Sequence, residues 1–176
     1  MYPFFRLGLE LWKARRAPAM GLLETHVSHH RCWPQDLDLW MELNNGRTLT
    51  LFDLGRVPMG RRSGLHVALA ANGWGAAVAG AVVRYRRRVR AFDAIEMKSR
   101  CIGWDGRFFY IEQAMWVHGE CANHIVLRSA VTSKAGIVAP GQVLGAMGLA
   151  LDSPPLPEWV QAWIAAEGAR PWPPEL

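Results

Sequence analysis

The sequence has few cysteines and no long apolar run. These two absences argue against a disulfide-rich or zinc-binding protein and against a membrane-spanning one. Three cysteines lie far apart among 176 residues, and no two of them form a CxxC pair. This spacing indicates neither a disulfide framework nor a zinc site, and it favours a reducing, cytoplasmic location. The apolar N-terminal stretch is broken by Arg6 and Glu10, well short of the ~20 residues that a membrane span requires.

The motifs of several familiar sites are also absent. The chain contains no Gly-rich phosphate loop, no GxSxG nucleophile elbow and no HExxH zinc motif. Its net charge is +5, yet most basic residues are scattered, and no RNP-type, KH or zinc-finger pattern accompanies them. We therefore expect no nucleic-acid partner, no metal and no organic cofactor.

The first 23 residues have the composition of an amphipathic arm. Lys13, Arg15 and Arg16 follow its apolar part, whereas a signal peptide carries its basic residues in front. Secretion is therefore not expected. Peripheral contact with a membrane surface and packing against a partner subunit are both compatible with this pattern.

The rest of the chain divides into a folded domain, residues 24–135, and a C-terminal helical extension, residues 136–176, packed on it. A first strand over 25–32 precedes a helix that begins near Asn45 and that Pro58 ends or kinks. A second helix ends at Asn72 and Gly73. Four strands are predicted over 78–85, 94–104, 108–118 and 123–134, and helices then segregate from strands in the α+β class.

Two local predictions follow from short sequence signals. Asp105 and Gly106 separate two strands, which is typical of a two-residue type I′ hairpin with positive φ at both positions. Asp53 and Arg56 lie three residues apart on the first predicted helix, so we expect an ion pair between them.

The segment between the first strand and the first helix has the composition of a site. It carries Asp36, Asp38 and Glu42 immediately before Asn44 and Asn45, which are good helix-capping residues. A carboxylate beside a helix N-terminus suits chemistry at a carbonyl, because the free backbone N–H groups of the first turn can stabilise an oxyanion. A purely structural turn with a cap is the alternative.

The sequence resembles the 4-hydroxybenzoyl-CoA thioesterase type of hotdog protein. Asp36-Leu37-Asp38 followed by Asn44-Asn45 is similar to the D-x-D-x-x-G-H-x-N-N pattern of that family. The segments 49–56, 83–87, 92–96 and 103–109 resemble the branch that includes thioesterase superfamily member six. The resemblance covers roughly residues 25–134, and the order of these pieces makes it fairly specific.

The resemblance implies a hotdog fold, in which a five-stranded antiparallel sheet wraps around a central helix, and here extra C-terminal helices follow. It implies a homodimer or a dimer of dimers with sites at the subunit interface, and acyl-CoA thioesters as substrates. The catalytic carboxylate would be Asp38, and the helix N-terminus at Asn45 and Gly46 would be the oxyanion hole. Glu42 is either a second catalytic carboxylate or a first-turn acid that the helix dipole favours.

The chain also departs from the family pattern. Met41 replaces the family glycine, Glu42 the histidine, and Thr48 a frequent tyrosine. Glu42 therefore adds negative charge beside Asp38 and removes a hydrogen-bond donor.

For substrate binding we expect Trp40 to line the acyl pocket and Arg84, Arg86 and Arg87 to meet CoA phosphates. The expected function is hydrolysis of acyl-CoA. A non-catalytic acyl-CoA-binding hotdog protein is the first alternative, and a hotdog dehydratase, which needs a histidine near Asp38 or Glu42, is the second.

Overall fold

The computed structural model describes residues 2–174 as five α-helices and six β-strands. In chain order they are α1 (Phe4–Arg16), β1 (His26–Arg31), α2 (Asn45–Arg62), α3 (Leu65–Asn72), β2 (Gly75–Tyr85), β3 (Ala94–Trp104), β4 (Phe109–Val117), β5 (Glu120–Ser133), β6 (Gly136–Val138), α4 (Pro140–Ala146) and α5 (Glu158–Ala169). A short 3₁₀ turn, Pro34–Asp36, follows β1. Within residues 2–174, no helix is both long and apolar enough to cross a membrane.

The strands form one antiparallel sheet in the order β1-β3-β4-β5-β2, with the short β6 beside the end of β5. Strands β3, β4 and β5 make the predicted meander, with Cys101 opposite Ile111 and Gln113 opposite Ile125. Strand β2 pairs with β5 and forms one edge, and β1 pairs with β3 at the other edge. The predicted strands are thus confirmed, and β6 is an additional one.

Helix α2 packs on one face of the sheet and supplies much of the main core. Leu51, Phe52 and Leu54 are at most 1% exposed and join side chains of β3, β4 and β5 in one apolar cluster. Asn44 is the N-cap, since its Oδ1 accepts the backbone N–H of Arg47 at 3.0 Å. These contacts place the N-terminus of α2 directly after the segment with the three carboxylates.

Pro58 does not end α2, which continues through it to Arg62. A proline has no N–H to donate to the carbonyl four residues earlier, so it costs helix stability. Pro58 and Met59 are both buried, and Met59 belongs to the main core. The burial of this turn outweighs the missing hydrogen bond, which the sequence pattern alone did not reveal.

The C-terminal helices cover both faces of the sheet. Val143 and Leu144 of α4 join the main core around α2. On the opposite face, α5 packs against Tyr110, whose ring meets the ring of Trp163 edge-on with centroids 6.4 Å apart. Because side chains alternate along a strand, β4 directs Tyr110 to α5 and its neighbours to α2.

The turn between β3 and β4 is not the predicted type I′ hairpin. Trp104 pairs with Phe109, so four residues form the loop, and neither Asp105 nor Gly106 has a positive φ. The Asp105 carboxylate accepts the N–H groups of Arg107 and Phe108 at 2.7 and 2.8 Å. These side-chain bonds stabilise a longer turn whose backbone has no need of left-handed residues.

Candidate functional site

The segment that precedes α2 folds back on itself as a small hairpin, which we call the site loop (residues 36–44). The Asp38 N–H donates to the Glu42 carbonyl at 2.8 Å, and the Asn44 N–H donates to the Asp36 carbonyl at 2.9 Å. An isolated bridge joins Leu37 to Leu43 between these two pairs. This ladder brings Asp38 opposite Glu42 and leaves residues 39–41 at the tip.

Asp36 anchors the base of the site loop. Its carboxylate is fully buried and accepts from Arg6 Nη1 at 2.7 Å and from Arg47 Nε at 2.7 Å. It also accepts the Trp33 N–H at 3.0 Å. Burial alone would raise the pKa of Asp36, but the hydrogen bonds from Arg47, Trp33 and Arg6 outweigh it, and the pKa is lowered.

Asp38 lies higher in the site loop and is only half-buried. Its Oδ1 accepts the Trp40 N–H at 2.9 Å and, at a longer 3.4 Å, the Glu42 N–H. Oδ2 makes no hydrogen bond within the described part of the chain. One carboxylate oxygen therefore orders the turn while the other is available to a ligand or a water.

Met41 occupies the family glycine position in a left-handed conformation, with φ +59°. Such a conformation costs a non-glycine residue about 1–2 kcal/mol. Glu42, the next residue, forms an ion pair with Arg88 Nε at 3.0 Å, and the Leu43 N–H donates to the Val89 carbonyl. The negative charge that Glu42 adds is thus balanced by a partner from the segment after β2.

The first turn of α2 presents free donors beside the site loop. The backbone N–H groups of Asn45 and Gly46 make no hydrogen bond to residues 2–174, as is usual where a helix begins. The Tyr85 hydroxyl donates to the Asn45 carbonyl at 3.3 Å and fixes this turn to the end of β2. The arrangement can stabilise a developing negative charge on a carbonyl oxygen.

A cleft of about 210 Å³ links this helix end to the basic segment after β2. Its lining includes Glu42, Asn45, Arg86 and Arg87. The cleft brings together two of the predicted catalytic residues and two of the predicted phosphate-binding arginines. Asp38 and Gly46 do not line this cleft in the single chain.

A wider neighbouring cleft of about 760 Å³ is lined by all three predicted arginines, Arg84, Arg86 and Arg87. Arg87 Nε pairs with Glu120 at 2.8 Å, whereas no carboxylate among residues 2–174 pairs with Arg84 or Arg86. Trp40 projects from the tip of the site loop with 77% of its surface exposed. It lines neither of these two clefts.

An apolar cavity of about 370 Å³ lies farther along α2, between α2, α3 and the sheet. Its lining includes Val57, Leu69, Ile111 and other apolar side chains, with the Asp53–Arg56 pair at its polar end. That predicted ion pair is confirmed. The Tyr2 hydroxyl donates to Asp53 Oδ2 at 2.8 Å, and burial together with this bond raises the pKa of Tyr2 to about 12.

Sequence reasoning missed the residues that support the site from a distance. Arg6, Arg88 and Tyr85 contact Asp36, Glu42 and Asn45 respectively, each from 30 to 46 positions away. Arg88 directly follows the three arginines that were predicted to bind CoA phosphates, but no spacing rule connects Arg88 to Glu42. Among residues 2–174, no group of three or more possible metal ligands occurs.

Comparison with known proteins identifies relatives on both the sequence and the structure level. A family model described as "Thioesterase-like superfamily" matches residues 32–164. Protein THEM6 of Xenopus laevis is 32% identical over 165 residues, which covers 92% of this chain and 78% of the frog protein.

Two solved structures illustrate the likeness in fold. A putative oleoyl thioesterase from Lactobacillus plantarum aligns with a TM-score of 0.65 at 15% identity, over 88% of this chain and 58% of that chain. A DHNA-CoA thioesterase from Staphylococcus aureus aligns with a TM-score of 0.59 at 12% identity, over 82% and 91%. The family model and the frog relative each cover most of the chain, so it belongs to the thioesterase-like superfamily, and its fold is the hotdog fold predicted from its sequence.

Proposed function

We propose that the protein hydrolyses acyl-CoA thioesters to a free acid and CoA. Membership of the thioesterase-like superfamily supports a thioester hydrolase. The observation that carries the proposal is the free N–H pair of Asn45 and Gly46 at the start of α2, next to a loop whose Asp38 keeps one carboxylate oxygen unbonded. A nucleophile or base beside an oxyanion site is what this hydrolysis needs.

In the proposed reaction, Asp38 acts on the thioester carbonyl carbon. Its carboxylate either attacks that carbon or removes a proton from the water that does so. The carbonyl oxygen then gains negative charge, which the Asn45 and Gly46 N–H groups stabilise. Collapse of the tetrahedral intermediate breaks the carbon–sulfur bond and releases CoA as the thiol after protonation. Where Asp38 is the nucleophile, water then hydrolyses the mixed anhydride between Asp38 and the acyl group, which releases the acid and regenerates the Asp38 carboxylate. Overall, one thioester and one water give one acid and one thiol.

We assign Glu42 a supporting role that depends on Arg88. The ion pair at 3.0 Å holds Glu42 beside the α2 N-terminus and offsets the repulsion between its charge and that of Asp38. Glu42 takes the place that the resemblance gives to a histidine, so the donor lost there is supplied by the Arg88 guanidinium. A variant that removes Arg88 should therefore affect turnover more than a variant at an unpaired arginine.

The substrate is proposed to span two regions. Arg84, Arg86 and Arg87 line an open cleft and suit the phosphate groups of CoA. The apolar cavity beside Val57 and Leu69 suits the acyl group. Eight residues along α2 separate Asn45 from Asp53, or about 12 Å at 1.5 Å per residue, so the cavity suits an acyl group long enough to cover that distance.

We further propose that the working unit is a cytoplasmic homodimer or a dimer of dimers. Strand β2 is an edge strand with an exposed surface rich in alanine and valine, which suits pairing with the same strand of a second copy. The cysteines are free thiols, which fits a reducing compartment. Sedimentation of the purified chain tests the assembly, and a monomer at working concentration would contradict it.

A test of the function uses release of CoA thiol from a panel of aliphatic acyl-CoAs of increasing length and of aromatic acyl-CoAs. The three protein cysteines set a background that a substrate-free sample corrects. We expect turnover on part of the panel, with a preference for acyl groups that reach the apolar cavity. Binding of acyl-CoA without any turnover would overturn hydrolysis.

That outcome would favour the second candidate, a non-catalytic acyl-CoA-binding protein. The observation in its favour is that Asp38 Oδ1 orders its own loop through the Trp40 N–H. A dehydratase has less support. The histidines with carboxylate partners lie against Glu96, Asp93 and Glu112, and none within residues 2–174 hydrogen-bonds to Asp38 or Glu42.

A further inference from the structure

Helix α1 rests on the protein body through a mixed face, on which Leu7 packs against the main core beside Arg6 and Glu10. Arg6 reaches the buried Asp36 at 2.7 Å and the Arg31 carbonyl at 2.9 Å. Glu10 is only 7% exposed and pairs with Lys13, and Ala14 is 6% exposed. Charged side chains thus share the body-facing side of α1 with apolar ones, whereas an ordinary surface helix buries mainly its apolar stripe.

A second set of apolar residues on α1 forms a stripe that faces away from the body. Phe5 is 86% exposed, Leu9 is 44% exposed and Trp12 is 52% exposed. These residues recur at i, i+4 and i+7, so they form one continuous stripe. Together with Gly8 they line a shallow apolar groove of about 350 Å³. Burial of Arg6 and Glu10 against the body fixes this stripe outward.

Basic side chains border the stripe. With 3.6 residues per turn, Lys13 and Arg15 lie about 80° to either side of Phe5. Arg16 continues the stripe itself and stacks on the Trp12 ring, with its guanidinium carbon 3.9 Å from the ring centroid. An aromatic and aliphatic centre with basic edges is the arrangement of a helix that lies in a lipid–water interface.

The charge distribution indicates whether the exposed face of α1 binds a lipid surface or a second copy of the chain. A two-fold contact through this face would bring the basic edge of α1 against the same basic edge of α1 in the second copy. The whole chain also carries a net charge of +5. The like charges along this edge oppose self-association through α1, and the net positive charge favours an anionic surface.

We propose that α1 docks the protein on an anionic lipid bilayer, with Phe5, Leu9 and Trp12 inserted at the headgroup level. Arg15 and Arg16 then meet lipid phosphates at the helix end. Because α1 has 13 residues, it lies in the plane of the interface. The proposal does not rest on thioester hydrolysis, and its test uses no acyl-CoA.

The test is co-sedimentation of the full chain with vesicles of phosphatidylcholine alone or mixed with phosphatidylglycerol. We expect binding to the mixed vesicles that weakens with added salt. The double variant Phe5→Ser/Trp12→Ser should lower the partition coefficient about tenfold or more. Its matched control is Trp172→Ser, since Trp172 is equally exposed at 86% but lies outside α1.

A charge reversal makes a second, independent variant. Arg15→Glu should weaken binding to mixed vesicles about fivefold or more, whereas Lys134→Glu, at an exposed turn, should have little effect. No binding to mixed vesicles, or binding that the α1 variants leave unchanged, would overturn the proposal. A change in sedimentation coefficient caused by Phe5→Ser/Trp12→Ser without lipid would assign this face to a second copy instead and would overturn it too.

Discussion

Two aspartates one residue apart, Asp36 and Asp38, have opposite environments. Asp36 is fully buried and holds two guanidinium groups, whereas Asp38 is half-buried and keeps one oxygen unbonded. A carboxylate that is fully paired stabilises the loop but has little freedom to react. The burial and the partners of the two carboxylates therefore support the proposal that Asp38, and not Asp36, is the reacting residue.

Replacing Asp36 by asparagine tests its structural role. Asp36→Asn removes the charge that faces Arg6 and Arg47, and loss of one partner of a buried ion pair costs about 3 kcal/mol or more. We expect the free energy of unfolding, measured with denaturant at neutral pH, to fall by that order. Asp152→Asn, at an exposed position, is the control; an equal loss in both variants would contradict the account.

Two structural features of the site loop could not be predicted from the sequence. The sequence identified Met41 as a departure from a family glycine, but not that its backbone is left-handed, with φ +59°. It identified Glu42 as a departure as well, but not its partner Arg88. Both facts depend on how the loop folds back on residues distant along the chain, which no local spacing encodes.

At the scale of elements, the close approach of α2 to the sheet depends on Gly55. A Cβ atom at this position would lie 2.5 Å from Ser99 Oγ and 2.6 Å from Met97 Sδ. Both neighbours are completely buried, so neither side chain can move into solvent. The glycine therefore sets the depth at which α2 lies against β3, and with it the position of the α2 N-terminus.

Gly55→Ala should destabilise the protein by about 1–3 kcal/mol through overpacking. The matched control is Gly60→Ala on the same helix, where an added Cβ meets only Leu65 Cδ2 at 3.7 Å. That control should be neutral or stabilise by up to about 1 kcal/mol, because alanine is the better helix former. Thermal unfolding measures the stability of both variants. A destabilisation of equal size in both would rule out the packing explanation.

Elements with strong periodic signals could be predicted, and elements that depend on side-chain bonds could not. The strands over 94–104 and 123–134 and the helix from Leu65 to Asn72 lie within a few residues of their predicted bounds. The type I′ hairpin predicted at Asp105 and Gly106 was wrong, because the Asp105 carboxylate accepts hydrogen bonds from two backbone N–H groups and so favours a longer loop. Pro58 does not end the helix as one of the two predicted outcomes had it, because the burial of Pro58 offsets the helix penalty.

At the scale of the whole molecule, the basic segment after β2 directs positive charge toward the site. Arg86→Ala should raise KM for an acyl-CoA about three- to tenfold with little change in kcat, because the lost contact is the same in the ground state and the transition state. Arg107→Ala, at an exposed turn elsewhere, should leave KM unchanged. Steady-state kinetics at low salt make the comparison, and an unchanged KM for Arg86→Ala would remove this arginine from CoA binding.

The stability of the whole molecule should fall in mild acid because of His26. Burial, followed by the charge of Arg62, lowers the pKa of His26 from 6.5 to about 4. Above pH 6.5 the histidine is neutral in both states. As the pH falls from 6.5 to about 4, His26 becomes protonated in the unfolded chain but stays neutral in the folded chain. Up to about 3 kcal/mol of stability is therefore lost.

Denaturant unfolding at pH 7 and pH 4.5 measures this effect. His26→Gln should reduce the loss of stability between the two pH values, whereas His29→Gln, at an exposed position on the same strand, should retain it. A loss of the same size in wild type and His26→Gln would show that other groups cause the acid sensitivity. His30, whose pKa burial lowers to about 3, contributes with the same sign.

The order of elements along the chain predicted the α+β class, and the resemblance to the 4-hydroxybenzoyl-CoA thioesterase type predicted the hotdog fold of the whole molecule. The orientation of α1 could not be predicted in the same way. Its amphipathic pattern was compatible with a membrane surface and with a partner subunit, and it did not reveal that Arg6 pairs with the buried Asp36. Contacts between residues distant along the chain, such as Arg6 with Asp36, thus decide which surface the arm presents.

The most direct test of the account is the turnover number of Asp38→Asn on the best acyl-CoA of the panel, beside wild type and Asp152→Asn. The asparagine keeps an oxygen that can accept the Trp40 N–H, so the loop should retain its shape while the carboxylate is lost. The account predicts a fall of about 10²–10⁴-fold in turnover for Asp38→Asn and none for Asp152→Asn. Turnover of Asp38→Asn at the wild-type level would contradict it.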